Sequence, residues 1–200
     1  MNPHDNKNIS ALVHFLERQR DAKGRANLAE LRRAAADPLR DTRSIWILGG
    51  ILPEADGWAF DAYRLVGTLY AIHAQRFSTP EGGYNVPKFK EDGNDDPYAR
   101  KSFGESLRRL RTQLGPGQES LDQRFVALLD SDREDIAVPL RGFIQRIASA
   151  EKRIPVDYFQ LLNHLLKWDG DKTKRRWARD YWQPVRTGRE EDDLFKETNN

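Results

Sequence analysis

Four groups of cationic side chains lie beside apolar helical stripes. They are Lys23-Gly24-Arg25 with Arg32-Arg33, Lys101 with Arg108-Arg109 and Arg111, Arg141, and the run from Lys172 to Arg179. Such side chains, repeated along a surface, suit one chemistry above others: many weak contacts to the phosphates of a charged polymer, which sum to useful affinity. A single cluster is more often a solvated helix face. Four beside packing stripes shift the balance toward a polyanion surface.

At about 100° per residue, these positions can be placed around their helices. Leu28, Leu31 and Ala35 define an inward face, with Arg25 and Arg32 nearly superposed to one side and Arg33 further round. The Gly24 break just ahead leaves amide groups at a helix start, a natural anion site. Arg108 and Arg111 flank the Leu107/Leu110 stripe, with Gly104 on the same flank. That glycine admits two readings, close approach of a sugar–phosphate backbone or a helix crossing that needs a small residue. Lys172, Arg175, Arg176 and Arg179 share one side of the last helix, opposite Trp177 and Tyr181. Trp168, Trp177, Tyr181 and Trp182 have the spacing of core residues rather than of a base-stacking row. Trp46 and Trp58, beside Gly-Gly and Pro breaks, fit either role.

Catalytic chemistry finds no matching constellation. Asp92-Gly93-Asn94-Asp95-Asp96 starts like a calcium loop, but the sixth position is Pro97 and the twelfth Phe103, where glycine and glutamate are needed. Gly115-Pro116-Gly117 lacks the later glycine and the preceding strand of a dinucleotide loop. His4, His14, His73 and His164 are scattered without metal-ligand spacing, and His73 reads as a core histidine. Asp157 and Asp169 suit helix ends better than a metal pair. The expectation is a protein that is not an enzyme and carries no cofactor or metal.

The elements that position these residues are helices throughout. Ile9, Leu12, Val13 and Leu16 have helical spacing, and a second helix carries Leu28 to Ala35 before Asp37-Pro38. A short helix around Ile45, Trp46 and Leu48 closes at Gly49-Gly50. Residues 58–76 are apolar on most sides, as a central helix should be. Phe77 to Arg100 reads as a long loop, mobile or ordered only by a partner. Ser102 with Glu105, and Ser120 with Gln123, have capping-box spacing. Pro139 falls in the first turn, or at a kink, of a helix carrying Leu140, Phe143, Ile144 and Ile147. Pro155 opens another with Leu161, Leu162 and Leu165, and Asp171 caps the last, Lys172 to Trp182. No alternating strand pattern competes. The expected fold is all-α, two packed helical bundles: residues 1–114 with the loop 77–100, then residues 118–185, with Gly115-Pro116-Gly117 between them and a disordered acidic tail over 186–200.

Composition bounds the rest. The 200 residues include 33 Lys+Arg and 31 Asp+Glu, a formal net charge of only +2. Acids concentrate in residues 91–96 and 190–193, so the remaining body is basic, and a partner meets a cationic field. The absence of cysteine excludes disulfides, thiolate nucleophiles and cysteine-bound metals. The polar N-terminus and the lack of a long apolar run lead to the expectation of a cytoplasmic protein with no membrane partner.

Lys23-Gly24-Arg25-Ala26-Asn27-Leu28-Ala29-Glu30-Leu31-Arg32-Arg33-Ala34 resembles the signature of CasB, the small subunit of type I-E CRISPR Cascade. Tyr63 to His73 is similar to that family's central apolar helix, and Phe103-Gly104-Glu105-Ser106-Leu107-Arg108-Arg109-Leu110 to its glycine-led basic helix. Arg124 to Leu129, Leu140-Arg141, Val156-Asp157-Tyr158 with Leu161-Leu162, and Trp168 through Trp177 to Trp182 follow in the family's order. The loop 77–100 looks longer than is typical of the family, and the resemblance assigns no role to the acidic tail after Arg186.

The resemblance implies a non-catalytic subunit of a crRNA-guided antiviral surveillance complex, paired with a second copy of itself and contacting the backbone and large Cascade subunits. Its nucleic-acid partners would be crRNA and the displaced single-stranded DNA, whose retention stabilises the R-loop. Carried over by motif position, the binding residues would be Lys23, Arg25, Arg32, Arg33, Arg108, Arg111 and Arg141. Helical geometry adds Lys101, Arg175, Arg176 and Arg179. The alternatives are a DNA-binding regulator that reads duplex sequence, and a purely structural adaptor whose basic faces meet acidic protein surfaces.

Overall fold

The computed structural model describes residues 3–52, 57–88 and 101–183, which form nine α-helices and no strand of a sheet. They are α1 (Pro3–Arg18), α2 (Arg25–Ala34), α3 (Arg43–Leu48), α4 (Trp58–Gln75), α5 (Phe103–Leu114), α6 (Glu119–Asp130), α7 (Ala137–Ser149), α8 (Tyr158–Leu165) and α9 (Asp171–Trp182). The chain divides into two compact units, Met1–Val86 with Leu162–Leu166, and Pro87–Leu161 with Lys167–Asn200. The glycine–proline–glycine break at 115–117 suggests that α5 closes the first domain. In the structure α5 falls in the second unit, where it packs on α9 and α7. Residues 91–96 and the tail from 184 lie outside the described residues.

In the first unit α4 is the hub. Residues from Ala62 to Ala71 are buried without interruption, and α1, α2 and α3 all pack on this helix. Leu12, Leu16, Leu28, Leu31, Leu48, Leu65 and Leu69 are fully buried around it. Each such side chain contributes about 1.5–3 kcal/mol relative to exposure. Gly67 admits α3: a Cβ there would lie 2.8 Å from Leu48 Cδ1. His73 is buried too, edge-to-face with Phe77 at 5.3 Å.

One buried cation organises the link between α2 and α3. Arg64 donates from Nε to Ser44 Oγ (2.9 Å), from Nη1 to the Leu39 carbonyl (2.9 Å) and Asp61 Oδ1 (3.2 Å), and from Nη2 to the Asp41 carbonyl (2.8 Å). A guanidinium presents its donors in a rigid fork, so it fixes several chain segments at once.

Part of the expected mobile loop is built structure. Residues 77–88 form a tight turn, with a bridge between Ser78 and Tyr84, Gly82 at φ 83°, and Phe77, Tyr84 and Val86 buried. The Tyr84 amide donates to the Arg20 carbonyl (2.7 Å), and Arg20 Nε returns a bond to the Tyr84 carbonyl (3.1 Å). Residues 89–100 lie outside the described residues.

In the second unit α5 packs on α9 and α7, and α6 packs on α7. Trp168, Trp177, Tyr181 and Phe125 are fully buried, with Trp168–Trp177 ring centroids 5.0 Å apart and Phe125–Tyr181 4.1 Å apart. Both expected capping boxes fail. Ser102 is the residue before α5, but its hydroxyl donates to Asp180 Oδ2 (2.7 Å), while Glu105 is taken by arginines. Ser120 lies inside α6, which starts from Gln118. Pro155 lies in an irregular segment ahead of α8 rather than opening the helix, and Asp157 Oδ1 accepts the Gln160 amide at the start of α8. Gly170, not Asp171, precedes α9.

Replacing Arg64 with Met keeps the volume and removes every donor. Urea unfolding of Arg64→Met should show a loss of about 2–4 kcal/mol, because the Leu39 and Asp41 carbonyls lose charged partners. A loss within experimental error would mean that Arg64 does not hold the α2–α3 link.

Candidate nucleic-acid interface

In the first unit the cationic turn ahead of α2 is pressed onto the end of α1. Gly24 is buried, and a Cβ there would sit 2.3 Å from the Gln19 Cα. Its amide donates to Asp21 Oδ1 at 3.0 Å, so it is already occupied rather than offered to an anion. Asn27 Nδ2 donates to Gln19 Oε1 (2.9 Å) and fixes the first turn of α2 to α1. The turn at 79–83 lies against this corner: Cβ atoms built on Gly82 and Gly83 would meet Ala22 and Arg25 Nη1, and the Arg20 carbonyl. Two turns joined by long-range bonds between Arg20 and Tyr84 thus present Lys23 and Arg25 on one exposed corner.

The side chains of Lys23, Arg25 and Arg32 make no hydrogen bond or ion pair among the described residues. Arg33 is 62% exposed and pairs with Glu30, whose other oxygen lies 3.4 Å from Arg43 Nε. Surface pairs of this type contribute at most about 1 kcal/mol, so they yield readily to a polyanion.

The second unit sorts its cations differently. Arg108, 13% exposed, forms a two-pronged pair with Glu105 (3.0 and 2.9 Å), and buried Arg109 shares the same carboxylate at 3.3 Å. Arg111 pairs with Asp122 (2.8 and 3.2 Å), and Tyr181 donates its hydroxyl to the same acid. The Asp122 carboxyl is held below the usual aspartate range by hydrogen bonds from Arg111 and then Tyr181. Burial, with the bond to Asp122, raises the Tyr181 hydroxyl well above its ordinary value. Arg108 and Arg111 are therefore internal braces, where helical geometry suggests outward groups. Gly104 resolves the same way: a Cβ would fall 2.2 Å from the Trp177 carbonyl oxygen, so the glycine serves the crossing of α5 and α9.

Lys101 is exposed and unpaired among the described residues, and Arg141 is half-buried on α7. On α9, Arg175 pairs with Asp171 (3.0 Å) on exposed side chains, and exposed Arg179 pairs with the largely buried Asp180 (3.2 Å). Arg176 is half-buried, 3.7 Å from Asp180. Lys172 is exposed on the same helix. Trp177 and Tyr181 face inward as their spacing requires, whereas Trp182 is largely exposed. Asp157 caps α8 and Asp169 pairs with Arg133, so the two do not converge as a metal pair.

Residues 27–182 match the family described as CRISPR-associated protein Cse2. That span covers most of the chain and every helix from α3 to α9. The chain belongs to the Cse2 (CasB) family. A curated Cse2 protein of Thermus thermophilus is 36% identical over 124 residues, which is 61% of this chain and 56% of that protein. The crystal structure of M. ruber CasB superposes with a TM-score of 0.63 at 30% identity, covering 94% of this chain and 97% of that one. That of T. thermophilus CasB gives 0.61 at 26% identity, covering 91% and 99%.

Within this Cse2 family member, the pairings at Glu105 were open to sequence reasoning: Arg108 and Arg109 stand three and four residues on, the spacing of facing helical side chains. The Arg111–Asp122 pair joins two helices and carries no local signal. Neither does the meeting of the Lys23–Arg25 turn with residues 79–83.

The depressed Asp122 carboxyl makes stability pH-dependent. Its contribution is complete above the ordinary aspartate value of about 3.9 and is lost as pH falls through the lower folded value. Asp122→Asn should be less stable than wild type by about 1–2 kcal/mol near pH 6, with the gap closing toward pH 2 in urea titrations. A gap independent of pH would refute the ion-pair origin.

Proposed function

We propose that this chain is the non-catalytic small subunit of a cytoplasmic crRNA-guided DNA surveillance complex, stabilising the R-loop by holding displaced non-target single-stranded DNA through sequence-independent backbone contacts. Its partners would be crRNA, the displaced strand, a second copy of the chain, and the backbone and large subunits of Cascade. Family membership supports the setting. The observation that carries the binding role is that, of the cations singled out in the sequence, exposed Lys23, Arg25 and Lys101 and half-buried Arg32 have side chains without a partner among the described residues. Around these, Arg33, Arg175 and Arg179 are only weakly engaged, and Arg141 and Arg176 are half-buried. Arg108 and Arg111 add less, since a phosphate would have to displace carboxylates already bound to them.

The physics of strand exchange makes such a surface useful. Guide–target pairing replaces a DNA duplex of similar stability, so modest retention of the freed strand tips the balance. Sequence is read by the guide, and the small subunit needs phosphate contacts alone. No helix among the described residues is long and apolar enough to cross a membrane.

The test is the salt dependence of single-stranded DNA binding. Combined Lys23→Ala, Arg25→Ala and Arg32→Ala should leave the melting temperature unchanged and lower the slope of log K against log salt by about 2, at about 0.7 per lost phosphate. The same variant should slow R-loop formation in the assembled complex. An unchanged slope and unchanged R-loop rate would reject this surface. Strong preference for one duplex sequence would instead indicate a regulator, and no retention of single strands at low salt a structural adaptor.

A further inference from the structure

Trp46 is the most exposed large apolar side chain among the described residues, at 76%, and neither packing nor hydrogen bonding within its unit explains it. On α3, Ser44 and Leu48 are buried and define the inward face. At about 100° per residue, position 46 lies diametrically opposite them. The indole therefore points to solvent, with Ile45, 37% exposed, beside it. The other tryptophan next to a chain break, Trp58, is accounted for: its Nε1 donates to the Leu165 carbonyl at 2.6 Å.

Two arginines, each paired with an acid at the surface, stand near Trp46 on α2 and α3. Arg43 stands three residues earlier, on the neighbouring side of the same helix, with its side chain half exposed. Glu30 bridges Arg43 to Arg33, so the outer faces of α2 and α3 bring two guanidiniums to one carboxylate. Asp41 takes a second bond from Arg43 at 2.7 Å. An indole beside exposed arginines matches an unpaired nucleotide, whose base stacks on a ring while its phosphate meets the cations. An apolar protein surface would be poorly served by that charged rim, because it would have to desolvate both guanidiniums.

We propose that Trp46 is a stacking platform for an unpaired base of a single strand whose backbone is held by Arg33 and Arg43. This rests on the single-strand binding proposed above and adds a contact to the base, which phosphate-binding cations do not supply. Any base would serve, since each has a π face, so the platform preserves indifference to sequence.

The experiment compares two probes of equal length and charge, oligo(dT) and an abasic sugar–phosphate strand, titrated with the full chain at fixed salt. Trp46→Ala should weaken oligo(dT) binding about 5- to 100-fold and leave abasic binding unchanged. Trp46→Phe should restore most of the loss. The salt slope and melting temperature should match wild type, because no charge and no buried group is removed. If Trp46→Ala binds both probes as wild type does, the platform is refuted while backbone binding stands. If Trp46→Ala leaves oligo(dT) binding intact and blocks incorporation into the assembled complex, the side chain is a protein contact and the proposal falls. If wild type binds neither probe at low salt, backbone binding and the platform fall together.

Discussion

At the crossing of α5 and α9 the backbone of Gly104 comes so near that of Trp177 that no side chain fits between them. Much of the second unit depends on this approach. It seats Phe103 against Trp177 at 5.1 Å between ring centroids and brings the Ser102 hydroxyl to Asp180. The Arg111 guanidinium, one helix end further on, lies 5.7 Å from the Tyr181 ring centroid and pairs with Asp122. Dense aromatic packing follows from a residue with no side chain, because the missing Cβ lets two helices close to contact. The face of α9 turned away from the crossing is then free to carry Lys172, Arg175 and Arg179.

The same packing sorts the arginines into two kinds. Arg64, Arg108 and Arg109 sit where water is scarce, Arg111 is partly exposed, and all four bind carboxylates or carbonyls of the protein itself. Stripping the first three of their partners would leave a desolvated charge, which is costly. Lys23, Arg25 and Lys101 are exposed and Arg32 is half-buried, and the side chains of all four are unpaired among the described residues. Only the second kind can exchange solvent and counterions for phosphate at little cost. A chain with nearly balanced formal charge thereby leaves some cations unpaired at its surface while several arginines serve its fold.

Helix positions were legible because buried leucines recur at three and four residues, and the last helix is found where its aromatics and arginines predict it. The inward aim of Trp168, Trp177 and Tyr181 was equally legible. Helix starts were less so: Ser102 has the right spacing from Glu105, yet tertiary partners, Asp180 and the arginines, outcompete the local cap. Residues 77–88 have no periodicity to read, since a long-range bond pair with Arg20 holds them. Cationic clusters were visible as composition. Whether each arginine serves the fold or the surface depends on acids such as Asp122 that only the folded chain brings close.

Arginine-selective chemical modification of the full chain, mapped residue by residue with and without saturating oligo(dT) at low salt, tests this division most directly. Arg25 and Arg32 should react readily in the free protein and be shielded by the strand, while Arg108 and Arg111 should react slowly in both states. Equal reactivity of Arg25 and Arg32 with and without the strand, or shielding confined to Arg108 and Arg111, would contradict the account.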